Sequence, residues 1–308
     1  MKATRSVLLT LLCSMVVSIA AQAQNGPASD STGLPGDNFS LEGALELFKK
    51  AGSPEEFEKL LNTEDNHVNN LDLNADGEID YIRVVSKEEK DAHVFVLQVP
   101  VSASESQDIA VIELEKTGDQ SAVIQIIGDE DIYGEQTIIE PGDGDEQPET
   151  ENSPGGPFVS YTTTITTYQP GIIVNVWLWP CVRYVYAPGY RVWVSPWRWR
   201  AYPAWWRPWR PLGWYAFHPY RVRYHTGFAV VRTHRVIRAH RVYTPIRVTS
   251  VTVRTRNAVA VNNYRVTRTK TTVTGPRGNS VTRRTTTVQG RHGRVKSSHT
   301  TVRKRRRG

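Results

Sequence analysis

The stretch YIRVVSKEEKDAHVFVLQVPVSASESQDIAVIELEKTGDQSAVIQII, residues 81–127, decides the fold. Val, Ile and Leu alternate with polar residues through 81–86, 92–101, 108–115 and 122–127, and charged or Gly-containing turns at 87–91 and 117–120 separate these runs. A period of two broken by short turns predicts an antiparallel meander of about four strands, with 137–140 as a candidate fifth. Upstream the period is helical. Ser40 stands before LEGALELFKKA, whose Leu41, Ala44, Leu45, Leu47 and Phe48 fall on one face, and Gly52 is placed for a left-handed stop. Ser53-Pro54-Glu55-Glu56 then restarts a helix with a cap, a first-turn proline and a capping-box glutamate, and Phe57, Leu60 and Leu61 form its stripe. Two short helices ahead of a meander predict an α+β domain over residues 38–141, with the helical pair covering one face of the sheet.

Composition divides the rest of the chain. Residues 1–23 carry Lys2 and Arg5, an apolar run and an Ala21-Gln22-Ala23 ending, the pattern of a cleaved secretory signal. Residues 24–37 read as a flexible leader, and no later stretch is apolar enough to predict a transmembrane segment. Cys13 would leave with the signal. The remaining Cys181 is expected to be a buried thiol, with intermolecular pairing as the alternative. Residues 142–158 (GDGDEQPETENSPGGPF) form a linker by composition. Residues 159–220 are rich in Trp, Arg and Pro, with short strands expected at 161–168, 171–179, 182–186 and 190–194. Residues 221–308 form a basic, low-complexity Thr/Val/Arg tail whose end repeats Val273, Gly275 and Gly278 as Val288, Gly290 and Gly293. That is a hairpin signature, with disorder as the alternative.

Charge follows the same division. The last acidic residue is Glu151, so the first 151 residues hold all 31 carboxylates against nine Lys and Arg, a net −22; the remainder holds 29 Lys and Arg and no acid. All nine Trp fall between Trp177 and Trp214. The two halves are expected to neutralise one another within or between molecules, or to recruit outside partners of opposite charge.

The sharpest motif is Asp72-Leu73-Asn74-Ala75-Asp76-Gly77-Glu78-Ile79-Asp80. Alternating oxygen side chains, a glycine at the sixth place and an apolar eighth residue suit a chain wrapped around Ca²⁺, which takes six to eight oxygen ligands. Asp72, Asn74, Asp76 and Asp80 would ligate by side chain or through water, and Glu78 by its carbonyl. Arg83 stands where an EF-hand places its bidentate Glu, so the expected affinity is weak, on the order of 10⁻⁴ M. The competing reading is an Asx-rich turn without metal. The loop resembles the calcium loops of dockerin modules and FG-GAP repeats, and residues 40–141 resemble uncharacterised secreted proteins of Gram-negative bacteria. These resemblances imply ion binding and an extracytoplasmic location.

A second constellation interleaves Arg191, Arg198, Arg200, Arg207 and Arg210 with Trp197, Trp199 and Trp206. Guanidinium groups pair with phosphate, sulfate or carboxylate, and indoles stack on sugars, bases or cations. The partners this suggests are anionic surface polymers, either lipopolysaccharide or acidic polysaccharide, or other copies of the chain. Extracellular nucleic acid is the alternative. His218, His225, His234 and His240 are spaced seven, nine and six apart, which matches no compact metal motif, and they read as solvated bases. Glu55-Glu56 and Asp129-Glu130-Asp131 read as solvated faces and turns. No nucleophile elbow, HExxH or phosphate loop is present, so the expectation is a secreted or periplasmic, envelope-associated binding protein rather than an enzyme.

Overall fold

The computed structural model describes residues 31–142, 173–274, 280–289 and 295–305. The signal-like segment, nearly all of the linker and the strand expected at 161–168 lie outside the described residues. The fold below belongs to the unit that begins at Thr32.

The meander is present. Strands β1 (Arg83–Glu89), β2 (Ala92–Pro100), β3 (Ser106–Gly118), β4 (Ser121–Gly128) and β5 (Thr137–Pro141) pair in sequence order, each antiparallel to the next. Register sorts the side chains into two faces. Ile112 lies opposite Phe95 and Ile126 on one face, and Glu113 lies opposite Val94 and Gln125 on the other. Helices α1 (Leu41–Lys50) and α2 (Pro54–Leu61) cover the first face. Phe48 meets Phe57 edge-on at 5.2 Å and Phe95 at 5.0 Å, which joins both helices to the sheet. The caps are those the sequence predicts, Ser40 Oγ accepting from Gly43 N and Ser53 Oγ from Glu56 N. The stop between the helices differs from expectation. Ala51 turns the chain in an extended conformation, Gly52 is not left-handed, and its N–H is taken by Glu56 Oε2 at 2.8 Å.

Composition divides the chain at Pro141, but packing does not. After a short helix α3 (Glu130–Tyr133), which precedes β5, the chain returns at residue 173. Val176, Cys181, Val182 and Val185 are buried in the same core as α1 and α2. Of residues 182–186, expected as strand, 182–185 belong to helix α4 (Pro180–Val185) and Tyr186 follows as its C-cap, because burying 181, 182 and 185 requires a period near 3.6. Cys181 is a free, buried thiol. Residues 193–195 run beside β1, with Ser86 N donating to Trp193 O and Ser195 N to Val84 O. Helix α5 (Trp214–Val222) leads to β6 (Phe228–Val231), which adds a sixth strand beside β5.

Helix α6 (Ile237–Tyr243) then lies on the second face of the sheet, burying Ala239, Val242 and Tyr243 against Val94, Val96 and Val111. The Arg/Val alternation of this region hides a helical set at 236, 239, 242 and 243. Ser250 caps α7 (Val251–Asn263), from which Val253 reaches the first core. Strands β7 (Arg265–Thr274), β8 (Ser280–Gln289) and β9 (Val295–Arg305) form a separate three-stranded antiparallel sheet, in line with the repeated hairpin signature. Among the described residues no helix is long and apolar enough to cross a membrane.

Candidate functional site

The aspartate loop enters β1 from the second helix. Ala75 (φ 59°) and Gly77 (φ 86°) are both left-handed and tighten the turn. The Asp72 carboxylate accepts from Asp76 N at 3.1 Å and Gly77 N at 3.0 Å, Asn74 Oδ1 from Asp76 N at 2.8 Å, and Asp76 Oδ1 from Glu78 N at 3.0 Å. Glu78 itself points outward. Asp80 is buried and accepts from Leu73 N at 2.5 Å and Asn74 Nδ2 at 3.1 Å. Burial pushes its carboxyl up to about 7; the charges of Asp72 and Asp76 add to this, and the Leu73 bond opposes it. Ile79 anchors the loop by burying its side chain and by donating N–H to Trp209 O at 2.8 Å. Arg256 donates to Leu73 O from α7.

The backbone bond from Ile79 N to Trp209 O sets the Arg/Trp segment directly beside the loop. Its structural anchor is Trp206, 3 % exposed and edge-on to Tyr81 at 5.1 Å, so this indole is packed away and cannot serve as the stacking platform the sequence suggests. Trp197 and Trp199 remain half-buried, and Arg191, Arg198, Arg200, Arg207 and Arg210 are exposed. Arg198 and Ala201 close a tight turn through reciprocal backbone bonds, with Arg200 left-handed at φ 57° and its guanidinium 5.5 Å from the Trp199 ring. None of these five arginines forms an ion pair with the described carboxylates.

Glu58 of α2 binds the same segment from below. Its Oε1 accepts from Tyr81 OH at 2.8 Å and Ser195 Oγ at 2.9 Å, and its Oε2 from Val84 N at 2.8 Å and Trp193 Nε1 at 3.2 Å. Burial raises its carboxyl above the ordinary range, and the four bonds oppose that shift.

The second sheet face carries the chemistry that sequence spacing missed. Glu113 and Glu115 alternate with Ile112 and Leu114, so they look solvent-facing, yet both are buried beneath residues 234–240. Arg235 pairs with Glu140 at 2.9 Å and Arg238 with Glu115 at 3.0 Å. Val248 N donates to Asp108 Oδ2 at 2.8 Å and Tyr243 OH to the same oxygen at 3.2 Å. Arg247 clamps Asp129 at 2.6 Å and Asp131 at 3.2 Å, which makes the acidic turn at 129–131 a docking point instead of a solvated one. His234 and His240 are not solvated bases either. Their ring centroids lie 4.0 Å apart over Glu113, with His240 Nδ1 2.8 Å from Oε1 and His234 Nε2 3.3 Å from Oε2. Six residues apart across a loop and a helix start, they meet only through the docking of α6. Among the described residues, these three alone bring His, Cys, Asp or Glu donor atoms within 4.8 Å of one another as a set of three; the aspartates of the 72–80 loop do not.

Comparison with family models, with curated proteins and with solved structures gives no match. Function is therefore inferred from geometry and chemistry.

Proposed function

We propose that this chain is a secreted or periplasmic, envelope-associated, non-enzymatic protein that binds anionic surface polymers through the arginine and tryptophan face of residues 191–210. The observation that carries the proposal is the contrast between the arginines that have carboxylate partners and the five exposed arginines clustered at 191–210. Arg235, Arg238, Arg247 and Arg254 have carboxylate partners, while Arg191, Arg198, Arg200, Arg207 and Arg210 are exposed with none among the described residues. Guanidinium groups held on a turned, aromatic-backed segment suit phosphate or sulfate groups of lipopolysaccharide or acidic polysaccharide. The test replaces Arg198, Arg200, Arg207 and Arg210 with Ser in the full chain and measures binding to lipopolysaccharide, a sulfated polysaccharide and duplex DNA across a salt series. Each lost phosphate contact should lower the DNA salt slope by about 0.9. An unchanged slope for every polymer would place binding elsewhere, and a loss confined to DNA would favour the nucleic-acid alternative.

Calcium on Asp72, Asn74, Asp76 and Asp80 is part of the same proposal. It is supported by the wrapped loop and by a buried Asp80 whose charge is opposed by Asp72 and Asp76. A cation would relieve that repulsion and draw the side-chain oxygens inward from the loop N–H groups. Differential scanning calorimetry of the full chain at pH 8, with millimolar Ca²⁺ and with chelator, should show a higher Tm with Ca²⁺, and Asp76→Asn should remove the shift. Superimposable scans would leave the loop as an Asx turn.

A further inference from the structure

We infer that Glu113, His234 and His240 form a site for a divalent transition metal of the zinc type. Glu113 stands in the middle of β3 with its side chain fully buried, while the imidazoles of His234 and His240 are 21 % and 31 % exposed. Glu113 Oε2 and His234 Nε2 are buried without a hydrogen-bond partner, although they face each other at 3.3 Å. Two orphaned acceptors or donors in such a place cost free energy unless something joins them. A metal ion would. With bonds of about 2.0–2.1 Å to nitrogen and oxygen, a tetrahedral centre holds its donors about 3.3 Å apart. His234 Nε2 and Glu113 Oε2 already stand at that separation, and His240 Nδ1, 2.8 Å from Oε1, would move outward by about half an ångström.

The donor chemistry selects the metal. Imidazole nitrogens with one carboxylate suit Zn²⁺, Cu²⁺ or Ni²⁺ and are poor partners for Ca²⁺, which takes oxygen ligands alone. Glu113 closes the floor of the site, and the two partly exposed rings leave a fourth position toward solvent for water. Binding replaces the hydrogen bond between His240 and Glu113 with two metal bonds. It also ties residues 234–240 to the sheet, where Arg235 on Glu140 and Arg238 on Glu115 already fix the flanks. The site is independent of the polymer-binding face and of the aspartate loop.

The experiment uses the full chain, stripped with chelator and titrated with ZnCl₂ by calorimetry in the presence of millimolar Ca²⁺. One Zn²⁺ per chain is expected, with affinity at least 100-fold weaker in His234→Ala/His240→Ala. Co²⁺ should give the intense visible absorption of a tetrahedral centre. Should the double variant fail to fold, the wild-type protein still decides: Zn²⁺ should protect His234 and His240, but not His218, from carbethoxylation mapped by mass spectrometry. Equal affinity in the variant, an octahedral Co²⁺ spectrum, or unchanged modification of both histidines would overturn the assignment.

Discussion

Glu58 offers the most direct test of whether residues 173–264 belong to the core of the acidic region. Two of its four partners, Val84 N and Tyr81 OH, come from the strand region, and the other two, Trp193 Nε1 and Ser195 Oγ, come from beyond the compositional break. Glu58→Ala removes both acceptor oxygens. Val84 N–H and Trp193 Nε1–H can only donate, so Val84 N–H is left buried and unpaired at about 1–3 kcal/mol, and the part-buried Trp193 Nε1–H loses its acceptor at a smaller cost. With the small cavity added, the expected loss is about 4 kcal/mol. Glu58→Gln should behave differently. Its carbonyl oxygen can keep Val84 and Trp193, and its amide can donate to the Tyr81 and Ser195 hydroxyls, which are free to accept. The charge-assisted component of the bonds is lost, but so is the cost of burying a carboxylate, which already raises the Glu58 pKa. The net loss should be about 1 kcal/mol. Urea denaturation of the full chain measures both variants. Equal destabilisation by Ala and Gln, or an Ala variant within about 1 kcal/mol of wild type, would refute a four-donor carboxylate joining the two segments.

Two buried titrating groups predict opposite pH trends. Burial lowers His93 to about 4, so the unfolded chain binds its proton more readily between about pH 4 and 6.5, and wild type should lose up to about 3 kcal/mol relative to His93→Leu as pH falls through that window. Burial raises Asp108 to about 6, against hydrogen bonds from Gln98, Val248 and Tyr243, so the folded chain holds that proton. Wild type should therefore lose up to about 3 kcal/mol relative to Asp108→Asn as pH rises from about 4 to 6, whatever the constant offset from the changed hydrogen bonding. Stability curves parallel to wild type across these windows would show that the groups are hydrated in the folded protein.

What was legible in the sequence was what local pattern encodes. Ser40, Ser53 and the alternating Val and Ile residues signal helix starts and strands through neighbours a few positions away, and the α+β meander follows from them. The loop 72–80 was legible as a turn for the same reason. What was not legible depends on residues more than 100 positions apart. Nothing near Glu113 marks it as covered, because its cover is His234 and His240. Trp206 reads as a binding aromatic in its Arg-rich neighbourhood, and only its packing on Tyr81 shows otherwise. The helix at Ile237–Tyr243 was masked by Arg/Val alternation, since arginines that pair with sheet carboxylates occupy positions a strand reading assigns to solvent.

The charge division, a net −22 followed by 29 cations with no acid among them in sequence, is partly used up within the molecule. A sheet with Asp108, Glu113, Glu115 and Glu140 buried on one face cannot leave that face in water-poor surroundings unpaired, because each lone buried carboxylate would be strongly unfavourable. Arg235 answers Glu140, Arg238 answers Glu115, His240 answers one oxygen of Glu113, and the Val248 backbone answers Asp108. Among the cations without a carboxylate partner, the five arginines at 191–210 cluster on the opposite kind of surface, exposed and backed by aromatics. Removing a paired arginine should therefore weaken the fold and leave polymer binding to the survivors, while removing an unpaired one should do the reverse. Composition makes the two sets look alike; burial of their partners is what separates a structural cation from one available to a ligand.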